Sequence, residues 1–135
     1  MAWLAANPSY IVMTDADCRC AEDLEEIRTI TSGLWRAQPA YHPYFVVGDF
    51  NGDRKADAAV AVTTDHRLFR VLIVDGGGGG PIYLSPDFKP GEMLFFGAPR
   101  PQPWRLLIGR YGTDTVAMLL PHGRAKYVLR YQTCC

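Results

Sequence analysis

An α+β fold, with one main N-terminal helix packed on a mostly antiparallel, meandering β-sheet of six to eight strands, is what this sequence predicts. Three observations carry that expectation. One stretch near the start, "DADCRCAEDLEEIRTITSG" at 15–33, spaces its apolar residues as a helix does. From Tyr41 onward the chain changes to short β-branched and aromatic runs punctuated by turn residues. The punctuation is too short to hold crossover helices, so successive strands should run antiparallel.

The elements follow in order. Residues 1–35 make an N-terminal segment in which "SYIVMT" suits a short strand. In the helical stretch, Glu22, Asp23, Glu25 and Glu26 favour the positive N-terminal end. Leu24, Ile27, Ile30 or Thr31, and Leu34 recur on one stripe, and Gly33 is the expected stop. Residues 41–131 form the β region. Its strand candidates are "YFVVGDF", "AAVAVTT", "RLFRVLIVD", "PIYLS", "EMLFFG", "WRLLIGRYG", "TVAMLLP" and "AKYVLRYQ". Between them stand Asp65-His66, the glycine run after Asp75, "SPDFKPG", "APRPQP", "GTD" and "PHGR".

Composition bounds what such a domain can do. The 135 residues suit one domain, 1–135, large enough to bury a core of its own. Lys+Arg and Asp+Glu balance at 14 each, so no overall field recruits nucleic acid or anionic lipid. No run approaches the ~20 apolar residues of a membrane-spanning helix. An unidentified protein partner is compatible with all of this.

Four cysteines, Cys18, Cys20, Cys134 and Cys135, lie in two tight couplets at opposite ends of the chain. Pairing within a couplet closes a very small ring, so cross-pairing the couplets is the expected arrangement. One such bridge closes a loop of more than a hundred residues, nominally worth ~4–5 kcal/mol. Reduced buried thiols are the alternative, and zinc is disfavoured because neither C-x-C nor C-C has the usual C-x₂₋₄-C spacing. Disulfides imply an oxidising compartment, hence an extracytoplasmic location, periplasmic or secreted. The opening "MAWLAANPSY" has no signal-peptide pattern, so a leader is expected to be missing from this sequence.

The stretch that looks chosen for chemistry is "GDFNGDRKAD", Gly48 to Asp57. Calcium takes six to eight oxygens, and a compact loop supplies them when alternate residues turn inward. Counting Asp49 as position 1, Asn51, Asp53 and Asp57 fall at positions 3, 5 and 9, and the Lys55 backbone carbonyl at position 7. An EF-hand is excluded, because strands rather than helices flank the loop and Val60 stands at position 12. A metal-free polar turn, its carboxylates neutralised by Arg54 or Lys55, is the other reading.

Residues 46–62, "VVGDFNGDRKADAAVAV", resemble the calcium-loop core of FG-GAP/VCBS-type repeats, whose pattern runs roughly G-D-x-N-G-D-G-x-x-D into an apolar strand. The resemblance implies calcium held by Asp49, Asn51, Asp53 and Asp57. It covers these residues alone. Arg54 stands where the family usually has glycine, and with no second copy in these 135 residues the multi-bladed propeller such repeats build is not expected from them.

Other features carry less. "DGGGGGP" at 75–81 lacks the G-K-[ST] of a phosphate loop and reads as a hairpin tip. His42, His66 and His122 have no metal-ligand spacing. "FFGAPRPQPWRLL" is a proline-stiffened connection whose Arg100, Trp104 and Arg105 suit a partner surface, Trp104 being equally suited to the core. Two function classes therefore stand: a binding or structural domain with a calcium loop, and a hydrolase whose acidic residues, Asp49 and Asp53 among them, line a cleft.

Overall fold

In a computed structural model of the chain, residues 2–33, 36–76, 80–88, 94–99, 103–109, 115–121 and 127–133 are described. Among them the chain forms α1 (Ala2–Ala6), β1 (Ile11–Val12), a 3₁₀ turn (Asp15–Cys18), α2 (Ala21–Thr29), β2 (Phe45–Gly48), β3 (Asp57–Thr63), β4 (Arg70–Asp75), β5 (Gly80–Leu84), β6 (Leu94–Ala98), β7 (Arg105–Gly109), β8 (Thr115–Pro121) and β9 (Tyr127–Thr133). The architecture is mostly antiparallel β-sheet with few helices. The single sheet of six to eight strands is corrected: nine strands divide between two sheets among the described residues. One runs β1-β3-β4-β5, with β2 also paired to β3, and the other runs β6-β7-β8-β9. The division falls in the "SPDFKPG" connection. There Phe88 turns back to exchange backbone hydrogen bonds with Phe69 (2.7 and 2.8 Å) instead of leading directly into a sixth strand of the first sheet.

α2 is shorter than its sequence pattern at both ends. It starts after Cys20 because Arg19 is left-handed (φ 50°), which breaks the helical path from the 3₁₀ turn. It stops at Thr29, with Ile30 extended (φ −99°, ψ 125°). Ile30 and Thr31 are β-branched and lose χ1 freedom in a helix, while Ile30 is 48% exposed and gains no burial to offset that loss. Gly33 does adopt positive φ, but four residues beyond the actual end. Leu34 lies outside the described residues.

Burial explains why β3 is a nearly continuous apolar run. It occupies the middle of the first sheet, with β1 and β2 on one edge and β4 on the other. Ala59 and Ala61 face a core built with Ile27 of α2, Tyr44, Phe50, Phe69 and Ile73, and with Leu94, Phe95, Leu106 and Ile108 of the second sheet. Val60, Val62 and Leu72 face the opposite side, where Trp3, Leu4 and Tyr10 cover them. The second layer accounts for α1, a helix of five residues too short to announce itself by periodicity. The segment leading into β2 is tied to β6 by polar bonds as well. Phe95 N–H donates to the Pro43 carbonyl (2.7 Å), and the buried Tyr41 hydroxyl donates to the Phe95 carbonyl (2.8 Å). Burial, with Tyr44 beside it, pushes the Tyr41 hydroxyl pKa far above its ordinary value, so it stays a donor throughout the working pH range.

The disulfide expectation is also corrected. Cys18 and Cys20 are bonded to each other, with Cα atoms 5.2 Å apart, inside the range disulfides need. The left-handed Arg19 between them folds the chain back so that the two Cβ atoms converge. Closing so small a ring is worth only about 1.6 kcal/mol by the chain-entropy relation. A left-handed non-glycine residue costs roughly 1–2 kcal/mol, so as a cross-link the bridge is close to neutral. Cys134 and Cys135 lie outside the described residues.

Two outcomes are expected. Tryptic digestion without reductant should give residues 1–19 joined to 20–28, or 1–28 uncut and two hydrogens light, with no link between Cys18 or Cys20 and 134–135. Gly48, whose missing Cβ is replaced by the Trp104 ring, should not tolerate a side chain. Gly48→Val should lower the unfolding free energy by about 1–3 kcal/mol in urea titrations.

Candidate metal centre

Residues 49–56 join β2 to β3, and the hairpin closes on the pair Gly48–Asp57. The loop holds its shape through its own carboxylates. Asp49 Oδ1 accepts from Gly52 N–H (2.8 Å) and Oδ2 from Arg54 N–H (2.9 Å). Asp53 Oδ1 accepts from Lys55 N–H (2.9 Å), and Asp53 N–H donates to Asn51 Oδ1 (3.2 Å). Such side-chain-to-backbone bonds are why Asp and Asn build turns. They demand two left-handed residues, Gly52 (φ 78°) and Arg54 (φ 68°). Arg54 therefore takes the conformation for which glycine is usual at that position of the loop pattern, with its side chain exposed.

Asp57 is different in kind. It is 1% exposed and ties three segments together. Its Oδ2 accepts from Phe50 N–H (2.9 Å) and Asn51 N–H (3.3 Å), and its Oδ1 from Gly76 N–H (3.0 Å) just after β4. A side chain at Gly76 would collide with the Ala56 carbonyl oxygen, so only glycine lets that amide approach. Burial is the largest influence on the Asp57 carboxyl and pushes its pKa up. The three amides pull it down, the nearby Asp53 charge adds to the rise, and the net direction is upward from 3.8.

Asp49, Asp53 and Asp57 bring one carboxylate oxygen each to within 4.8 Å of one another. Calcium–oxygen bonds of 2.3–2.6 Å put two ligands on opposite sides of one ion about 4.8 Å apart, so this spacing fits a single shared cation. Each ionised carboxylate has about four acceptor sites, so bonds to backbone amides leave capacity for an ion. Asn51 sits in the same loop with its amide nitrogen near Asp53 Oδ2 (3.3 Å) and Asp75 Oδ1 (3.5 Å). Among the described residues neither Arg54 nor Lys55 forms an ion pair with these carboxylates; the ion pairs are Arg28–Asp15, His42–Asp15, His66–Asp17 and Arg70–Asp87.

Trp104 joins this loop to the second sheet. Its N–H donates to the Asp49 carbonyl (2.9 Å), and its ring stands edge-on to Phe50, with centroids 6.4 Å apart. The ring rests on Gly48 and Gly97; a Cβ at Gly97 would come within 2.8 Å of Trp104 Cζ3. Beside it opens a groove of about 850 Å³ lined by Val47, Gly48, Asp49, Gly52, Arg54, Lys55, Ala56, Pro103 and Trp104. Trp104 is thus half-buried, part core and part groove wall. Arg105 is half-buried at the start of β7, opposite Ala98, and Arg100 lies outside the described residues. Sequence reasoning did not foresee Asp75, Gly76 and Trp104 meeting the acidic loop. No local pattern links residues so far apart, although Gly76 opens a glycine run that was visible.

No family model, curated protein or solved structure matches the chain. Among the described residues no helix is long and apolar enough to cross a membrane.

The Asp57 environment makes a signed prediction for chelator-treated protein. Its folded pKa lies above its unfolded value, so the stability it contributes is fully present below pH 3.8 and is lost as pH rises through the folded value. The difference in unfolding free energy between wild type and Asp57→Asn should therefore move against wild type over that window. Carboxyl-carbon NMR should show Asp57 titrating above the ordinary value of 3.8.

Proposed function

We propose that this chain is a small extracytoplasmic binding or structural domain in which the 49–57 loop holds one calcium ion in a structural role. The observation that carries the reading is the convergence of Asp49, Asp53 and Asp57 within 4.8 Å on a loop that keeps its left-handed turns despite Arg54. Asn51 completes the side-chain set that the FG-GAP/VCBS-like pattern implies, and the position count adds the Lys55 carbonyl. The ion neutralises three clustered carboxylates and fixes the loop that forms one wall of the Trp104 groove. The Cys18–Cys20 pair at disulfide distance is compatible with an oxidising compartment, where millimolar calcium is available to sites with dissociation constants of ~10⁻⁴–10⁻³ M.

A role in binding a protein partner draws support from the groove, where the aromatic wall of Trp104 lies beside the exposed cations Arg54 and Lys55. The hydrolase reading draws less. The carboxyl of this cluster whose pKa is raised belongs to Asp57, which is buried, bonded to three amides and not part of the groove wall. An acid–base catalyst must instead reach its substrate.

For sites in that affinity range, 10 mM calcium should stabilise chelator-treated protein by about 1.4–2.7 kcal/mol. A rise in melting temperature, with matching heat by calorimetry, would report it. Asp53 is exposed and gives the loop one backbone bond, from Lys55 N–H, so Asp53→Ala should cost the metal-free protein only about 0.5–1.5 kcal/mol while abolishing the calcium response. Absence of both heat and shift at several millimolar calcium would leave the loop a metal-free turn.

A further inference from the structure

The Cys18–Cys20 bridge invites a different question, because as a cross-link it stabilises the fold so little. We infer that it is a thiol–disulfide exchange centre, with Cys20 the sulfur attacked and cationic thiols its substrate class. The two sulfurs are not equivalent. Cys18 is 3% exposed and part of the core, whereas Cys20 is half-buried and sits at the N-cap of the nine-residue helix α2. Cys20 N–H points at Cys18 Sγ, 3.2 Å away. An incoming thiolate bonds to Cys20 Sγ, the Cys18–Cys20 bond breaks, and its electron pair leaves on Cys18 Sγ, where the Cys20 amide stabilises the thiolate before it takes a proton from water. With a dithiol substrate, the second substrate thiolate then attacks the first substrate sulfur. The mixed disulfide breaks, and Cys20 leaves as a thiolate and is protonated. The substrate is oxidised to a disulfide and the protein is reduced to a dithiol by the same two electrons.

Reduction leaves the fold intact, because the segment has other anchors. Arg28 Nη2 bonds Asp15 Oδ2 (2.8 Å), His66 Nδ1 meets Asp17 Oδ1 (2.9 Å), and Asp17 Oδ2 accepts from Thr14 N–H (2.8 Å). Substrate preference follows from charge. Between Asp15 and Arg28 lie the carboxylates Asp15, Asp17, Glu22, Asp23, Glu25 and Glu26 against two guanidinium groups, Arg19 and Arg28. This negative field draws cationic thiols and repels anionic ones.

The test uses the full chain carrying Cys134→Ser and Cys135→Ser, with peptide-level mapping of wild type in parallel in case that variant fails to fold. Native protein is exposed to cysteamine (cationic) or glutathione (anionic) at matched thiolate concentration, then acid-quenched, alkylated and weighed by mass spectrometry. Cysteamine should open the bridge about tenfold faster than glutathione at low salt, the gap narrowing as salt screens the field. The far-UV circular dichroism should not change. Cystamine should modify Cys20 in Cys18→Ser about tenfold faster than Cys18 in Cys20→Ser, as thiol accessibility dictates. A bridge that resists both thiols until the protein is denatured, opens only with loss of fold, or reacts equally with both would overturn the inference.

Discussion

One buried carboxylate holds this architecture in register. Asp57 begins β3, the strand around which the first sheet is organised, and its two oxygens accept amides from the acidic loop and from the turn after β4. A buried backbone N–H without a partner costs about 1–3 kcal/mol, so the three bonds fix the start of β3, the path of the loop and the approach of Gly76 together. The energetics are finely set, since the same burial that strengthens these bonds penalises the charge. A cation shared with Asp49 and Asp53 would ease that penalty. On the reading proposed above, a structural calcium ion would supply that relief.

The second dependence is steric. Trp104 can lie flat between the sheets only because Gly48 on β2 and Gly97 on β6 leave room for its ring. Its backbone holds the Asp49 carbonyl, so the loop is fastened to the first sheet through Asp57 and to the second through Trp104. A ring placed in this way both closes the core against Phe50 and presents a wall to the groove. The stability of the loop and the shape of the surface beside it are therefore one property.

Much of this was legible in the sequence where the controlling physics is local. Alternating β-branched runs such as "AAVAV" and "VLIV" announce strands, and the Asp/Asn spacing at 49, 51, 53 and 57 announces a loop that folds on its own carboxylates. What stayed hidden depends on partners distant in sequence. Nothing in "EMLFFG" says that β6 pairs with β7 and not with β5, because alternation specifies a face and leaves the neighbour open. Trp3 and Leu4 form a helix over Val60 and Val62 that only the folded sheet makes worthwhile. The Cys18–Cys20 bond was not legible from ring size alone, because a single left-handed residue at Arg19 changes which Cβ atoms can meet.

If Asp57 is the constraint described, its three amide partners should be among the slowest-exchanging hydrogens outside the strands. Native-state hydrogen exchange read by NMR at Phe50, Asn51 and Gly76 tests this directly. Protection at Phe50 and Gly76 close to that of core β3 amides, collapsing together in Asp57→Ala while Asp53→Ala leaves it intact, is the predicted result. Exchange of those amides at the rates of the exposed Gly52 or Lys55 would contradict the account.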